Sequence, residues 1–359
     1  MNIIYSYLTA FILAFLSVYS ITPFIIKFAN KTNFLDNPGA RKVHKKATPL
    51  LGGLAVFFGF FVLTIYAVIT TIYTFDKAVV GYLIGALIIV LVGIIDDRHG
   101  MNPILKMLGQ ILSCFIFIYS NDLINLFGPI YISIPILLFW MVGLMNALNF
   151  LDNMDGIITG MSGILALGFY GFSFISKTHS LAAQSEFISL LSLIFAGSVF
   201  GFLPYNFNPA KIFLGDAGSM FIGYFLSTMG ILAGRLAVTS MNNNFYYLLP
   251  VLLLSYAIFD ISLVSITRKR DGRKITQGGK DHSTHRIGTA LGSTKVTALI
   301  VYLLNIIIVL VTILVFKMES VNLLIIFTLI FALLFLFFGN KLDHVPISVP
   351  QNQLKTEDN

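Results

Sequence analysis

"IYISIPILLFWMVGLMNALNFLDNMDG", residues 130–156, decides the class of fold. Its first sixteen residues are an almost unbroken apolar run. The last eleven then bring three asparagines and two aspartates to the point where a membrane helix should end. A bilayer core needs about 20 apolar residues per helix, and stretches of that kind recur along the whole chain. Of its 359 residues, 57% are hydrophobic and 11% charged, which marks an all-α polytopic membrane protein. The one cysteine, Cys114, lies in an apolar segment and excludes an intrachain disulfide and a multi-cysteine metal site.

Hydropathy predicts eleven spans, near 3–26, 49–72, 78–95, 104–119, 130–150, 157–175, 186–204, 212–233, 245–267, 296–316 and 321–339. The first lacks a basic leader and a small-residue cleavage site, so it reads as a retained helix. Loops and helix ends on one side carry 19 of the 23 Lys and Arg residues. Because cytoplasmic flanks collect positive charge, the N-terminus is expected outside and the C-terminus in the cytoplasm. Residues 1–340 form one integral membrane domain in this reading, and 341–359 a cytoplasmic polar tail. The longest loop between spans has 28 residues, 268–295, so no soluble catalytic domain fits. Any chemistry belongs to helix ends and short loops.

An aspartate at the centre of a membrane helix costs roughly 2.5–3.5 kcal/mol on insertion scales, yet the polar groups gather in four places. "GIIDDRHGMNPILK" ends the third span, "NALNFLDNMDG" the fifth, "YNFNPAKIFLGDAGS" opens the eighth and "RKRDGRKITQGGKDHSTHR" follows the ninth. The charge-derived topology puts all four on the cytoplasmic side. Asp96 and Asp97 diverge by about 100° on a helix and so have separate roles. They also oppose the helix dipole and need compensation, for which Lys106 is a nearby cation. Asn146, Asn149, Asp152 and Asp155 recur every three residues. Such a row drifts by about 60° per step, so the helix is expected to break at "NMDG", where Gly156 allows a turn. Capping accounts for one or two of these groups and leaves the rest for a ligand.

Asp216 stands one turn into an apolar helix, with Lys211 its nearest basic residue in sequence. Carboxylate and amide oxygens suit Mg²⁺, with Mn²⁺ the alternative ion, and such a cation would polarise a bound phosphate. The last loop supplies positive charge through Arg268, Lys269, Arg270, Arg273, Lys274, Lys280 and Arg286, interleaved with His282 and His285. Topology demands the basic residues but not the histidines, which suit phosphate oxygens or proton transfer. Zinc lacks its cysteine partners here. "TQGGK" is no P-loop, since Lys274 stands where the first glycine belongs and no strand precedes it. Acids, a hard metal and a basic lid together suit a phosphate-bearing substrate, and nothing points to nucleic acid.

The ordered motifs "HKKATPLLGG", "GIIDDR", "NALNFLDNMDG", "NFNPAKIFLGDAGS" and "DHSTHR", spread over residues 38–290, resemble the polyprenyl-phosphate N-acetylhexosamine-1-phosphate transferases. The resemblance implies transfer of a sugar 1-phosphate, most simply N-acetylglucosamine 1-phosphate, from a UDP-N-acetylhexosamine to undecaprenyl phosphate. UMP would leave, and a surface polysaccharide or teichoic acid would begin, at the bacterial inner membrane. By motif, Asp216 would bind Mg²⁺ with Asn149 as second ligand. Asp96 or Asp97 would deprotonate or position the lipid phosphate, and Lys106 would contact phosphate. Asp155, Asn206, Phe213 and Lys46 would form the uridine pocket, with Phe213 stacking on the base, and Asp152 would be a further substrate-binding residue. His282, His285 and Arg286 would engage the diphosphate and the sugar. A homodimer is a candidate assembly.

Two motifs depart from the family pattern. Ser283 and Thr284 replace apolar residues or histidines, and Asn153 replaces the glycine typical of the phospho-N-acetylmuramoyl-pentapeptide translocases, the alternative branch. Asp260 also fits the pattern, without a role beyond a polar contact between helices. A transporter, the rival from another class, would spread its acids through the bilayer and often repeat a half. A scaffold for anionic lipid would have no use for Asp216.

Overall fold

The computed structural model describes residues 3–36, 47–70, 76–176, 182–274 and 279–346. Ten helices among them are long and apolar enough to cross a membrane: α1 (Ile3–Lys31), α2 (Gly52–Ile69), α3 (Lys77–His99), α4 (Pro103–Ser120), α5 (Ile130–Leu151), α6 (Ile157–Ile175), α7 (Ala182–Asn206), α8 (Gly215–Met241), α12 (Thr294–Lys317) and α13 (Val321–Asp343). The eleventh span is a bent pair. The segment Asn244–Leu253, a 3-10 turn running into α9 (Leu248–Leu253), meets α10 (Ser255–Arg270) at 72°.

A straight span over 245–267 was the expectation there. Pro250 has no amide hydrogen and Ser255 sits at the break, and prolines and serines are common sites of sharp kinks. The surrounding "LLPVLLLSYAIF" is apolar on both sides of the bend, so hydropathy passes over it. The long loop also holds a short helix, α11 (Ser283–Leu291), and α13 runs to Asp343, three residues past the boundary expected for the polar tail. A two-stranded antiparallel pair, β1 (Leu35–Asp36) and β2 (Thr48–Pro49), interrupts the helical pattern before α2.

α7 and α8 form the centre of the bundle. Of their most apolar 18-residue windows, 83% and 89% are buried, against 22% in α1 and 17% in α13. α3 and α5 pack on α8, while α1 and α6 pack on α7. Phe195 of α7 stacks on Phe225 of α8 with ring centroids 3.7 Å apart. Closest approach occurs at glycine: a Cβ on Gly53 of α2 would lie 2.1 Å from the Gly218 nitrogen, and one on Gly93 of α3 would lie 2.3 Å from Ala217 Cα. Two helices, α2 and α3, therefore meet the first turns of α8 almost backbone to backbone, the mode of membrane helix packing that small residues permit. The β2 segment joins them, for Phe213 N–H donates to the Pro49 carbonyl (2.8 Å) and Gly52 and Gly53 N–H donate to the Phe213 and Leu214 carbonyls (2.9 and 2.7 Å). The start of α8 is thus held from several directions.

Candidate active site

The C-terminal end of α3 delivers two adjacent carboxylates in opposite senses. Asp97 accepts hydrogen bonds from the backbone N–H groups of Asp216 (2.9 Å) and Ala217 (3.1 Å), and so caps the first turn of α8. Gly215, with φ +73°, makes the turn that exposes these donors. Asp96 turns instead to Lys106, whose Nζ donates to its Oδ2 at 2.6 Å, and to the Met101 amide, also at 2.6 Å. The compensation that two acids at a helix C-terminus require is supplied by an opposing helix N-terminus for one and a lysine for the other.

Lys106 Nζ also donates to Asp216 Oδ2. Asn149, projecting from the last turn of α5, completes the group. In the amide orientation that satisfies both of its ends, opposite to the one placed, Nδ2 faces Asp216 Oδ1 (3.1 Å) and Ser219 Oγ (2.8 Å) and Oδ1 meets Lys106 Nζ at 3.0 Å. Three oxygens from three helices thus converge on one ammonium. One turn deeper, Gln110 and Asn146 exchange hydrogen bonds, with Asn146 Nδ2 3.0 Å from Gln110 Oε1, and fix α4 against α5. Asn146, first of the row spaced by three, therefore serves packing.

α5 ends at Asp152 and the chain turns at Gly156, whose φ is +75°, as the sequence spacing predicts. Burial pushes the Asp152 carboxyl up to about 8, with Asp216, Asp97 and Asp155 adding repulsion. Asp155 accepts from Asn208 Nδ2 (2.9 Å) and the Ala210 amide (3.0 Å), pinning the loop that leads into α8. Asn206 is 3% exposed and has both ends of its amide engaged, by Thr159 Oγ1 (2.7 Å) and the Ile212 carbonyl (3.1 Å). In this arrangement it braces the same loop. Phe213 is half-buried beside it. Lys46 lies outside the described residues.

α11 brings the histidines to this turn. Thr284 Oγ1 donates to Asn153 Oδ1 at 2.8 Å, so the two motifs that depart from the family pattern touch each other. His282 is 3% exposed, and its Nδ1 lies 2.8 Å from Asp260 Oδ2. The other Asp260 oxygen accepts from the Ser283 amide (2.8 Å) and hydroxyl (2.6 Å). Asp260, 1% exposed on α10, is the member of the site whose role sequence reasoning missed. Its burial in a helix of otherwise apolar neighbours was the available signal. His285, half-buried with its ring centroid 6.5 Å from that of His282, has its pKa pushed down to about 4 by burial, helped by His282 and Lys280. It is a neutral imidazole at physiological pH.

The basic loop is organised by acids. Asp281, fully buried, receives a bidentate pair from Arg268 (2.9 and 2.7 Å) and a third bond from Arg273 (2.8 Å). Burial works against its charge, yet the Arg268 and Arg273 guanidinium groups prevail and hold it at about 2. Arg286 is 2% exposed and donates to the carbonyls of Asp281 (2.8 Å), Leu342 (2.9 Å) and Asp343 (3.0 Å). It ties α11 to the end of α13, a task distinct from the diphosphate contact that the resemblance implies.

Asp216 and Asn149, the ligands that the resemblance implies, present oxygens of the kind a hard cation takes, beside the Asp96 carboxylate and around Lys106 Nζ. Among the described residues, no three His, Cys, Asp or Glu side chains stand close enough to hold an ion unaided. That pattern fits Mg²⁺, which commonly takes one or two carboxylates and completes its shell with water and substrate phosphates.

Fold and site together define a multi-pass membrane protein with an acid, amide and histidine cluster at converging helix ends. The glycosyl transferase family 4 model matches residues 79–234, which run from α3 to α8. Over 307 residues the chain is 34% identical to a protein of Bacillus subtilis (strain 168) described as a probable undecaprenyl-phosphate N-acetylglucosaminyl 1-phosphate transferase, covering 82% of this chain and 81% of that one. It is 30% identical over 302 residues to the decaprenyl-phosphate N-acetylglucosaminephosphotransferase of Mycobacterium tuberculosis (strain ATCC 25618 / H37Rv), covering 77% and 74%. The phospho-N-acetylmuramoyl-pentapeptide-transferase of Staphylococcus carnosus (strain TM300) is 30% identical over 251 residues, 62% of this chain and 74% of that one. The chain belongs to glycosyl transferase family 4.

Proposed function

We propose that this protein transfers N-acetylglucosamine 1-phosphate from UDP-N-acetylglucosamine to undecaprenyl phosphate, releasing UMP and starting a cell-surface polymer. The observation that carries the reading is the set of three oxygens, from Asp96, Asp216 and Asn149, gathered around the Lys106 ammonium. The names of the two N-acetylglucosamine relatives support the choice of sugar. The charge distribution of the loops supports an N-terminus outside, a cytoplasmic C-terminus and a site at the cytoplasmic face of the bacterial inner membrane.

Attack of one phosphate on another is opposed by like charge, so catalysis rests on neutralisation and alignment. Mg²⁺ held by Asp216 and Asn149 would supply Lewis-acid polarisation of the donor diphosphate. Lys106 moves from its carboxylates to a phosphate oxygen when substrate enters, as a long flexible ammonium can. Asp96 is then free to position the lipid phosphate or take its proton, whereas Asp97 stays committed to the α8 amides. Asp155 and Phe213 would hold the uridine, and His282 and His285 would engage the diphosphate and sugar.

The test is UMP release from purified protein given undecaprenyl phosphate, Mg²⁺ and, separately, UDP-N-acetylglucosamine, UDP-N-acetylgalactosamine or UDP-muramoyl-pentapeptide. Lipid-dependent release with the first donor is expected. Release with the pentapeptide donor alone would place the chain in the other branch. Asp216→Ala should lower turnover by about 100-fold or more while leaving the thermal transition in place; undiminished turnover would sink the proposed site.

A further inference from the structure

Asp260 is a buried carboxylate with three donors on it and no lysine or arginine among them: His282 Nδ1, the Ser283 amide and the Ser283 hydroxyl. An acid placed this way in a membrane helix is costly unless its hydrogen bonds serve a purpose. Its two oxygens act differently. Oδ1 anchors the first turn of α11 through Ser283, whose hydroxyl also lies 3.0 Å from Tyr256 Oη. Oδ2 holds the imidazole of His282 by one nitrogen. Among the described residues Nε2 has no protein partner, and it is not one of the fully enclosed unpaired polar atoms, so it is the ring nitrogen left open to a ligand.

We propose that Asp260 is a positioning residue for the transfer reaction. It accepts the Nδ1 proton of His282, directs Nε2 outward as the working nitrogen, and supports the positive charge the ring gains when Nε2 takes the proton of a phosphate hydroxyl. The proposal rests on the function given above. The same logic governs histidines oriented through one nitrogen by a carboxylate, where the partner sets the tautomer and the exposed nitrogen does the chemistry. Asp260 itself touches no substrate.

The test is a cycle of Asp260→Asn, His282→Ala and the pair, assayed by UMP release. Asp260→Asn is nearly isosteric but can offer its amide nitrogen to Nδ1, which moves the ring proton to Nε2. It should lower kcat about 10- to 100-fold with KM for the sugar nucleotide little changed. In the His282→Ala background it should cost nothing further. Equal losses in both backgrounds would make Asp260 purely structural and overturn the proposal.

His282→Asn places an amide nitrogen where Nδ1 was and removes Nε2, so it should fold normally and turn over no faster than His282→Ala. Turnover near wild type in that variant would also overturn the proposal. ¹⁵N NMR of histidine-labelled protein, assigned by comparison with His282→Ala, should show His282 protonated at Nδ1 in the wild type. Should wild-type protein release no UMP from any donor, the function falls while this tautomer measurement still decides the role of Asp260: a neutral ring protonated at Nε2 refutes it.

Discussion

Asp152 follows the last turn of α5 and carries a carboxyl that burial and three neighbouring acids push up to about 8, from an ordinary 3.8. Between those values the folded chain keeps a proton that the unfolded chain has released, so stability declines as pH rises through that window. Asp152→Asn cannot ionise and escapes the decline. In chelator-treated protein its Tm should pull ahead of wild type steadily from about pH 5 to about pH 8 and then level off. A gap independent of pH would mean that the carboxyl is already ionised in the fold.

Asn153 and Thr284 make a second residue-scale case. Each replaces a residue typical of the wider family, and their hydrogen bond at 2.8 Å explains why the replacements belong together. Asn153→Ala and Thr284→Ala should show a coupling of about 0.5–1.5 kcal/mol in a double-mutant cycle on thermal stability. Simple additivity would show that the contact contributes nothing. The pairing is a fact of space, since the two residues stand 131 positions apart in the chain.

At the scale of elements, the basic loop turns out to be a braced lid. Arg268 at the end of α10 and Asp281 before α11 are both buried and joined by two parallel hydrogen bonds, with Arg273 adding a third. Removing one partner of a buried pair leaves the other charge uncompensated, at about 3–5 kcal/mol. Arg268→Met should fall near the lower figure because Arg273 remains, measured as a drop in unfolding free energy in detergent. Little change would show that water reaches Asp281. α13 contributes to the same brace, since Arg286 bonds its last carbonyls and Arg270 pairs with Asp343. Ending the chain before Asp343 should therefore loosen α11, visible as faster amide hydrogen exchange over Ser283–Leu291. The expected boundary at residue 340 fell inside this brace because apolar content drops there while helical structure continues.

For the whole molecule, hydropathy measures contact with lipid and not position in the bundle. α8, the most enclosed span, has a mean hydropathy of only 1.5, while the outlying α13 reaches 2.9. Small and hydroxylated residues let α8 be approached closely, and its neighbours, not lipid, cover its polar atoms. Orientation has a direct check. The only native cysteine, Cys114, is fully buried, which leaves a clean background for labelling. A cysteine replacing exposed Lys317 should react with an impermeant maleimide added to intact cells, and one replacing exposed Lys274 only after the membrane is opened. The reverse pattern would invert the topology.

Composition and local pattern were enough for the helical membrane class, ten of the spans, the break at Asp152–Gly156 and the list of polar groups that need an explanation. Each is legible because a membrane span and a helix end are local properties, written in consecutive residues. The bend at Leu254, the capping of α8 by Asp97, the enclosure of Asn206 and Arg286, and the joining of Asp260 to His282 belong to the tertiary structure alone. Two aspartates side by side look equivalent in a sequence. Which one faces a lysine and which one a helix terminus depends on what packs against them, and that is settled only when α3, α4 and α8 meet.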